Sequence, residues 1–188
     1  MSETVNNARI VLQNVRFAYC HVFEKDELNG KYSIRIIIPK NHPQVADLKN
    51  AVKAAAVEGQ SRLAGKQVRM SDILHDGDVE AKGPEFEGAY YINAKSKNKP
   101  GVVKANTTGM GGVVEITDPA EFYSGCWGHA SVTFFAFNTA GKSGLGCALN
   151  NVMKTKDDDY LGSRTSAEQE FGALVGDPAP EGDDDFPL

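Results

Sequence analysis

Cysteine is scarce in this chain of 188 residues: Cys20, Cys126 and Cys147 are odd in number and far apart, which excludes a disulfide framework. Their expected state is a reduced thiol on a strand or in the core. No apolar run approaches the roughly 18 residues that a membrane-spanning helix needs. Met1 to Arg9 is polar and lacks the apolar stretch of a secretory signal, so the expected compartment is the cytoplasm. No Ser/His/Asp arrangement is legible, and nothing in the sequence makes a positive case for an enzyme. What is present is ordinary globular composition, 41% hydrophobic and 24% charged, enough for one domain with a real core.

The formal net charge of −5 averages two unlike parts. Residues 157–188 hold ten acids against Arg164, a net −9, whereas residues 1–156 hold nineteen bases and fifteen acids, a net +4. A mildly basic body therefore carries a strongly acidic tail.

The body reads mostly as strands. Val11, Val15, Phe17 and Tyr19 share one side of a run from Arg9 to Tyr19 by period two. Beyond a turn at Asn29-Gly30, Tyr32, Ile34, Ile36 and Ile38 face the core, while Lys31, Ser33 and Arg35 take the opposite face. From Gln44 to about Leu63 the period changes to that of a helix, with Val45, Leu48, Val52, Ala55 and Ala56 in one stripe. A strand at Ala89 to Lys95 follows, then a Gly- and Lys-rich connection from Ser96 to Gly112. A hairpin comes last, from His129 to Asn138 and on to Lys154. Several short strands with one long helix predict a small closed barrel rather than an alternating α/β sheet. Past Lys156 the chain turns to Asp, Gly, Pro and Glu. Residues Thr165 to Phe171 have the pattern of a short capped helix, and residues 175–188 are expected to be disordered.

Three signals invite chemistry and weaken on inspection. Residues 136–143 fit a relaxed phosphate-binding loop around Gly141-Lys142-Ser143, but Gly144-Leu145-Gly146-Cys147 follows where that mechanism needs a helix N-terminus. A Gly-rich hairpin turn is the simpler reading. Cys126-Trp127-Gly128-His129 has the spacing of half a zinc site; the other half, Cys20-His21, points to opposite faces of a strand. Asp72, Asp76, Asp78 and Glu80 have the pattern of a solvated turn. No metal and no cofactor is expected.

The stronger constellation joins aromatic and basic residues. In Ala89 to Lys95, alternation sends Tyr90, Ile92 and Ala94 inward and leaves Tyr91, Asn93 and Lys95 on the open face, with Lys97, Lys99 and Lys104 extending the charge. A ring beside a row of ammonium groups suits single-stranded nucleic acid, because bases stack on the ring while cations follow the phosphates. The competing reading makes Tyr91 a half-buried strand residue and the lysines a solvated edge. Phe135 and Phe137 lie on the face opposite Phe134, so that strand has no polar side. Either both faces are covered, by the helix or a second subunit, or one is a stacking platform that Arg35 and Lys31 flank if the strands are neighbours. At the terminus, Asp183-Asp184-Asp185-Phe186-Pro187-Leu188 sets three acids before an apolar end. An acidic end can be merely solubilising, but Phe and Leu are poor solubilisers and have the pattern of a peptide anchor steered toward basic surface.

These residues resemble a known family. The tail is similar to the acidic tip of bacterial and phage single-stranded DNA-binding proteins. The body is similar to a tailed-phage family of such proteins with an OB-fold, through Leu74-His75-Asp76-Gly77-Asp78, Tyr91-Ile92-Asn93-Ala94-Lys95-Ser96 and Lys99-Pro100-Gly101-Val102-Val103. The likeness continues through Glu121-Phe122-Tyr123-Ser124-Gly125-Cys126-Trp127-Gly128, Gly146-Cys147-Ala148-Leu149-Asn150-Asn151-Val152 and Gly162-Ser163-Arg164-Thr165. The resemblance implies a non-catalytic protein that binds single-stranded DNA during phage replication, recombination and repair and recruits partners through its tail. The expected layout is an OB-fold barrel over residues 1–156 and an interaction tail over 157–188, with homo-oligomerisation open. Alternative readings are a strand-annealing recombination protein, a nucleotide-hydrolysing enzyme using Lys142, and a structural phage component.

Overall fold

The computed structural model describes residues 7–80, 83–161, 171, 174 and 175. Its first strand, β1 (Arg9–Asp26), is long enough to serve two neighbours. One edge pairs with β2 (Lys31–Pro39) and the other with β7 (Trp127–Thr139), both antiparallel. Besides an irregularity between His21 and Asp26, two bulges break its alternation, one between Leu12 and Val15 and one between Ala18 and His21. At each, one residue takes a left-handed backbone, Asn14 with φ 55° and Tyr19 with φ 47°. A bulge inserts one residue and so exchanges the two faces. The inward series accordingly runs Leu12, then Val15 and Phe17, then Val22, all buried. Val11 and Tyr19, placed inward by strict period two, are turned out to solvent instead.

The isoleucines of β2 behave as the pattern predicts, with Ile34, Ile36 and Ile38 in the interior. Helix α1 (Val45–Glu58) buries Leu48, Ala51, Val52 and Ala55 against the barrel, then breaks at Gly59 before a single turn, α2 (Gln60–Leu63). Glycine is required at that position on steric grounds: a Cβ on Gly59 would come within 2.2 Å of Ala136 Cβ on β7. Next come β3 (His75–Asp76), the turn α3 (Gly77–Glu80), a 3₁₀ turn at Pro84–Phe86 and β4 (Ala89–Ser96). The glycine- and lysine-rich connection contains β5 (Gly101–Ala105), held to the sheet because Val102 is buried opposite Val152. Short β6 (Val113–Glu115) pairs with it at the sheet edge. Strand β8 (Lys142–Lys156) completes a hairpin with β7 through Ala140 and Gly141, both at positive φ, as a two-residue turn requires.

The strands run in the order β4-β2-β1-β7-β8, and a parallel contact between Lys95 and Ala148 joins β4 to β8. This closes a five-stranded barrel with β5 and β6 as an extension, the OB-fold. The main core fills its interior; a smaller cluster of Ala18, Ile37, Phe86, Ala89 and Tyr91 lies on the outside. Among the described residues no helix is long and apolar enough to cross a membrane.

Candidate nucleic-acid interface

Cross-strand register builds one outer face from β1, β2 and β4. Ser33 stands opposite Lys95 and Arg35 opposite Asn93, with Ala18 beyond Arg35 on β1. Arg35 is its centre. Its guanidinium carbon lies 4.5 Å from the centroid of the Tyr91 ring and 4.7 Å from that of Tyr19, and Nε donates to Asn93 Oδ1 at 2.9 Å. Among the described residues no carboxylate forms an ion pair with Arg35. The Phe86 ring lies 5.6 Å from the same carbon, so three rings and an amide hold the guanidinium, and none of them neutralises its charge.

Tyr91 does not lie open. It shares the outer face with Asn93 and Lys95, as alternation requires, but it is only 2% exposed. His75 on β3 and Phe86 in the 3₁₀ turn cover it: the His75 ring stacks on Tyr91 with centroids 4.8 Å apart, and Phe86 packs at 5.2 Å. The phenol donates to Glu80, which also takes His75 Nδ1 at 2.9 Å. Burial, and then the Glu80 carboxylate, push the Tyr91 phenol up to about 12. Tyr90 faces the barrel only in part and carries Lys40 and Lys49 over its ring, at 5.5 and 5.6 Å. Tyr91 is therefore a buttress for Arg35 rather than a free stacking ring.

The lysines divide. Lys95, Lys97 and Lys99 are exposed and Lys31 is half-buried, and none forms an ion pair among the described residues. Lys99 Nζ lies 6.0 Å from the centroid of the Phe23 ring. Lys104 is spent on Glu121, Nζ to Oε2 2.6 Å. Phe135 is 42% exposed and Phe137 half-buried, but neither reaches Arg35, because β7 and β2 are not neighbours: β1 lies between them on one side, β8 and β4 on the other. The two rings lie across glycines of β8 instead; a Cβ on Gly146 would come within 2.6 Å of Phe135.

Residues counted with the tail on composition begin against the barrel. Trp127 Nε1 donates to Asp158 Oδ2 at 2.8 Å, Tyr123 Oη to Asp157 Oδ1 at 2.8 Å, and the Leu161 amide to the Ser124 carbonyl at 2.8 Å. The indole N–H holds the Asp158 carboxyl below its usual range, and the Lys154 ammonium does so for Asp157. Leu161 packs on the outer cluster of Ala18, Ile37, Phe86, Ala89 and Tyr91, two of whose rings also meet Arg35. Asp183, Asp184, Asp185, Phe186, Pro187 and Leu188, with most of the short helix expected at 165–171, lie outside the described residues.

The weaker signals resolve structurally. Lys142 stands opposite Thr139 in the hairpin, so no helix follows it. Cys126 is buried in the core while His129 Nδ1 meets the Asn14 amide at 3.2 Å. Asp76 and Asp78 both hold Lys40, at 2.8 and 2.7 Å, and are lowered by it. A cleft of about 810 Å³ beside β1 is lined partly by Glu24 and Asp118, which repel phosphate. Sequence reasoning missed Tyr19, which is 58% exposed. Nothing marks its bulge in the sequence, because the left-handed position is held by tyrosine and not by glycine or asparagine.

A closed OB barrel with a cationic, aromatic outer face defines the class. Residues 8–186 match the family of the single-stranded DNA-binding protein of Enterobacter phage Enc34, and the chain belongs to that family. Its fold is similar to the solved structure of the single-stranded DNA-binding protein from bacteriophage Enc34 in complex with single-stranded DNA. The TM-score is 0.69 at 26% identity, covering 86% of this chain and 97% of that one. A C-terminal truncation of the same phage protein gives a TM-score of 0.69 at 25% identity, over 85% and 96% of the two chains. Protein p50 of Acyrthosiphon pisum secondary endosymbiont phage 1 is 28% identical over 186 residues, covering 88% of this chain and 94% of that one.

Proposed function

We propose that this protein binds single-stranded DNA with little sequence preference across the outer face of β2 and β4 and protects it during phage replication, recombination and repair. It carries out no catalysis. One observation carries the reading: Arg35 is packed by the Tyr19, Tyr91 and Phe86 rings with no carboxylate partner among the described residues, on the same outer face as Lys95. A side chain so held makes a base or phosphate contact at little further entropic cost. Family membership supports the ligand class. Asn93 orients Arg35; Lys31, Lys95, Lys97 and Lys99 meet phosphates. The acidic end, Asp183 to Leu188, recruits replication or repair proteins in the host cytoplasm, and assembly into homo-oligomers along the strand belongs to the same reading. Titration of labelled oligo-dT and a matched duplex at two salt concentrations tests it. Tight, salt-sensitive binding of the single strand is expected; absence of binding overturns the reading.

A further inference from the structure

Tyr19 is held in a conformation that costs free energy. Four described residues other than glycine have positive φ: Asn14, Tyr19, Ala64 and Ala140. Ala64 ends α2 and Ala140 sits in the tight β7–β8 turn, where local geometry demands it. Asn14 serves the first bulge of β1 with a side chain that tolerates the left-handed region. The second bulge uses a bulky aromatic where glycine or asparagine holds the same backbone with less strain. What the tyrosine gains there is not burial, since its ring is more than half exposed.

The bulge re-aims this side chain. Without it, residue 19 would continue the inward series of Val15 and Phe17. With it, the ring stands on the outer face, 4.7 Å from the Arg35 guanidinium on one side, and much of it remains open to solvent. A ring braced by a cation and still exposed is a platform for a second flat group. Tyr91 and Phe86, the other rings on Arg35, cannot serve, because Phe86 is fully buried and, with His75, covers Tyr91. Phe135 lies across the backbone of β8, two strands away from β2.

We infer that Tyr19 is the residue of the β1–β2–β4 face on which a nucleobase stacks, with Arg35 beneath it and Tyr91 buttressing Arg35. This rests on the single-strand-binding reading above. An uncharged ring that stacks contributes to affinity without neutralising a phosphate, whereas Arg35 contributes to the salt dependence as well.

The test uses the full-length chain, labelled oligo-dT and three variants. Tyr19→Gly suits the backbone and removes the ring; Tyr19→Asn repeats the test with another residue at ease at positive φ; Tyr19→Phe keeps the ring. Tyr19→Gly and Tyr19→Asn are expected to weaken binding about 5- to 150-fold, the loss of one base–aromatic stack. Their thermal stability should be unchanged or higher and their salt slope that of the parent, while Tyr19→Phe binds as the parent does. Parent-like affinity in the glycine and asparagine variants overturns the inference. So does a loss accompanied by a slope shallower by about 0.7, the signature expected of Arg35→Gln, because the ring would then act only by orienting the cation. Failure of the parent itself to bind oligo-dT overturns the single-strand reading, which this design separates from failure of Tyr19.

Discussion

The Asp158 carboxylate accepts the indole N–H of Trp127 at 2.8 Å, with the Arg16 guanidinium 3.6 Å from the same oxygen. The acidic segment thus begins as a strap on the barrel, and a close backbone approach fixes it there: a Cβ on Gly125 would come within 2.0 Å of the Asp159 carbonyl oxygen.

Acid should release this strap. Asp158 titrates below its ordinary value of 3.8, chiefly because of the indole N–H, so its contribution is whole above 3.8 and is lost as pH falls through the lower folded value. Trp127 is the one tryptophan of the chain, and its emission should shift in that acid range. Asp158→Asn should remove the step. An acid titration followed by fluorescence, with far-UV circular dichroism in parallel, separates strap release from unfolding of the barrel.

Tyr91→Ala should lower stability by about 3–5 kcal/mol, since it empties a covered site between His75 and Phe86. Tyr91→Phe keeps the packing and should cost about 1–3 kcal/mol, from the hydrogen bond to Glu80. Urea unfolding of the two variants checks both figures; a Tyr91→Ala protein as stable as its parent would refute the buttress.

Electrostatic contributions should follow which lysines are free. Arg35, Lys31, Lys95, Lys97 and Lys99 meeting one phosphate each would give a slope of log affinity against log salt of about −3 to −4. Lys95→Gln should make it shallower by about 0.7. Lys104→Gln should leave it nearly unchanged, because Glu121 already neutralises that ammonium. Anisotropy titrations over a salt series decide between them.

Truncation after Leu161 keeps the strap and removes seven acids and one arginine. Since Leu161 packs on the cluster whose Tyr91 ring meets Arg35, the removed segment is expected to act as a tethered competitor for the cationic face. The truncated protein should bind single strands more tightly at low salt, with the gain shrinking as salt rises. Phe186→Ala should abolish partner recruitment and leave DNA affinity unchanged, which a pull-down and a titration on the same variant would show.

Period and composition determined much of this protein. Ile34, Ile36 and Ile38 alternate because one face of β2 meets a core, Leu48, Val52 and Ala55 recur at helical spacing because α1 covers that core, and the acids gather past Lys156. The outer positions of Arg35, Asn93 and Lys95 were legible for the same reason. Tertiary structure decided the rest. Whether an outward residue meets water depends on what folds over it, and His75 and Phe86 bury Tyr91 although its parity is outward. Parity itself fails at a bulge, where one inserted residue exchanges the faces; so Tyr19, whose spacing places it beside Phe17, stands outside on Arg35. Pairing of β7 with β1 and β8 keeps Phe135 and Phe137 away from β2, because strand order is set by barrel closure between β4 and β8, a long-range contact that no local pattern encodes. Charge is likewise neutralised in space rather than along the chain: Glu121 takes Lys104, while Arg35, among the described residues, is left to its three rings and Asn93.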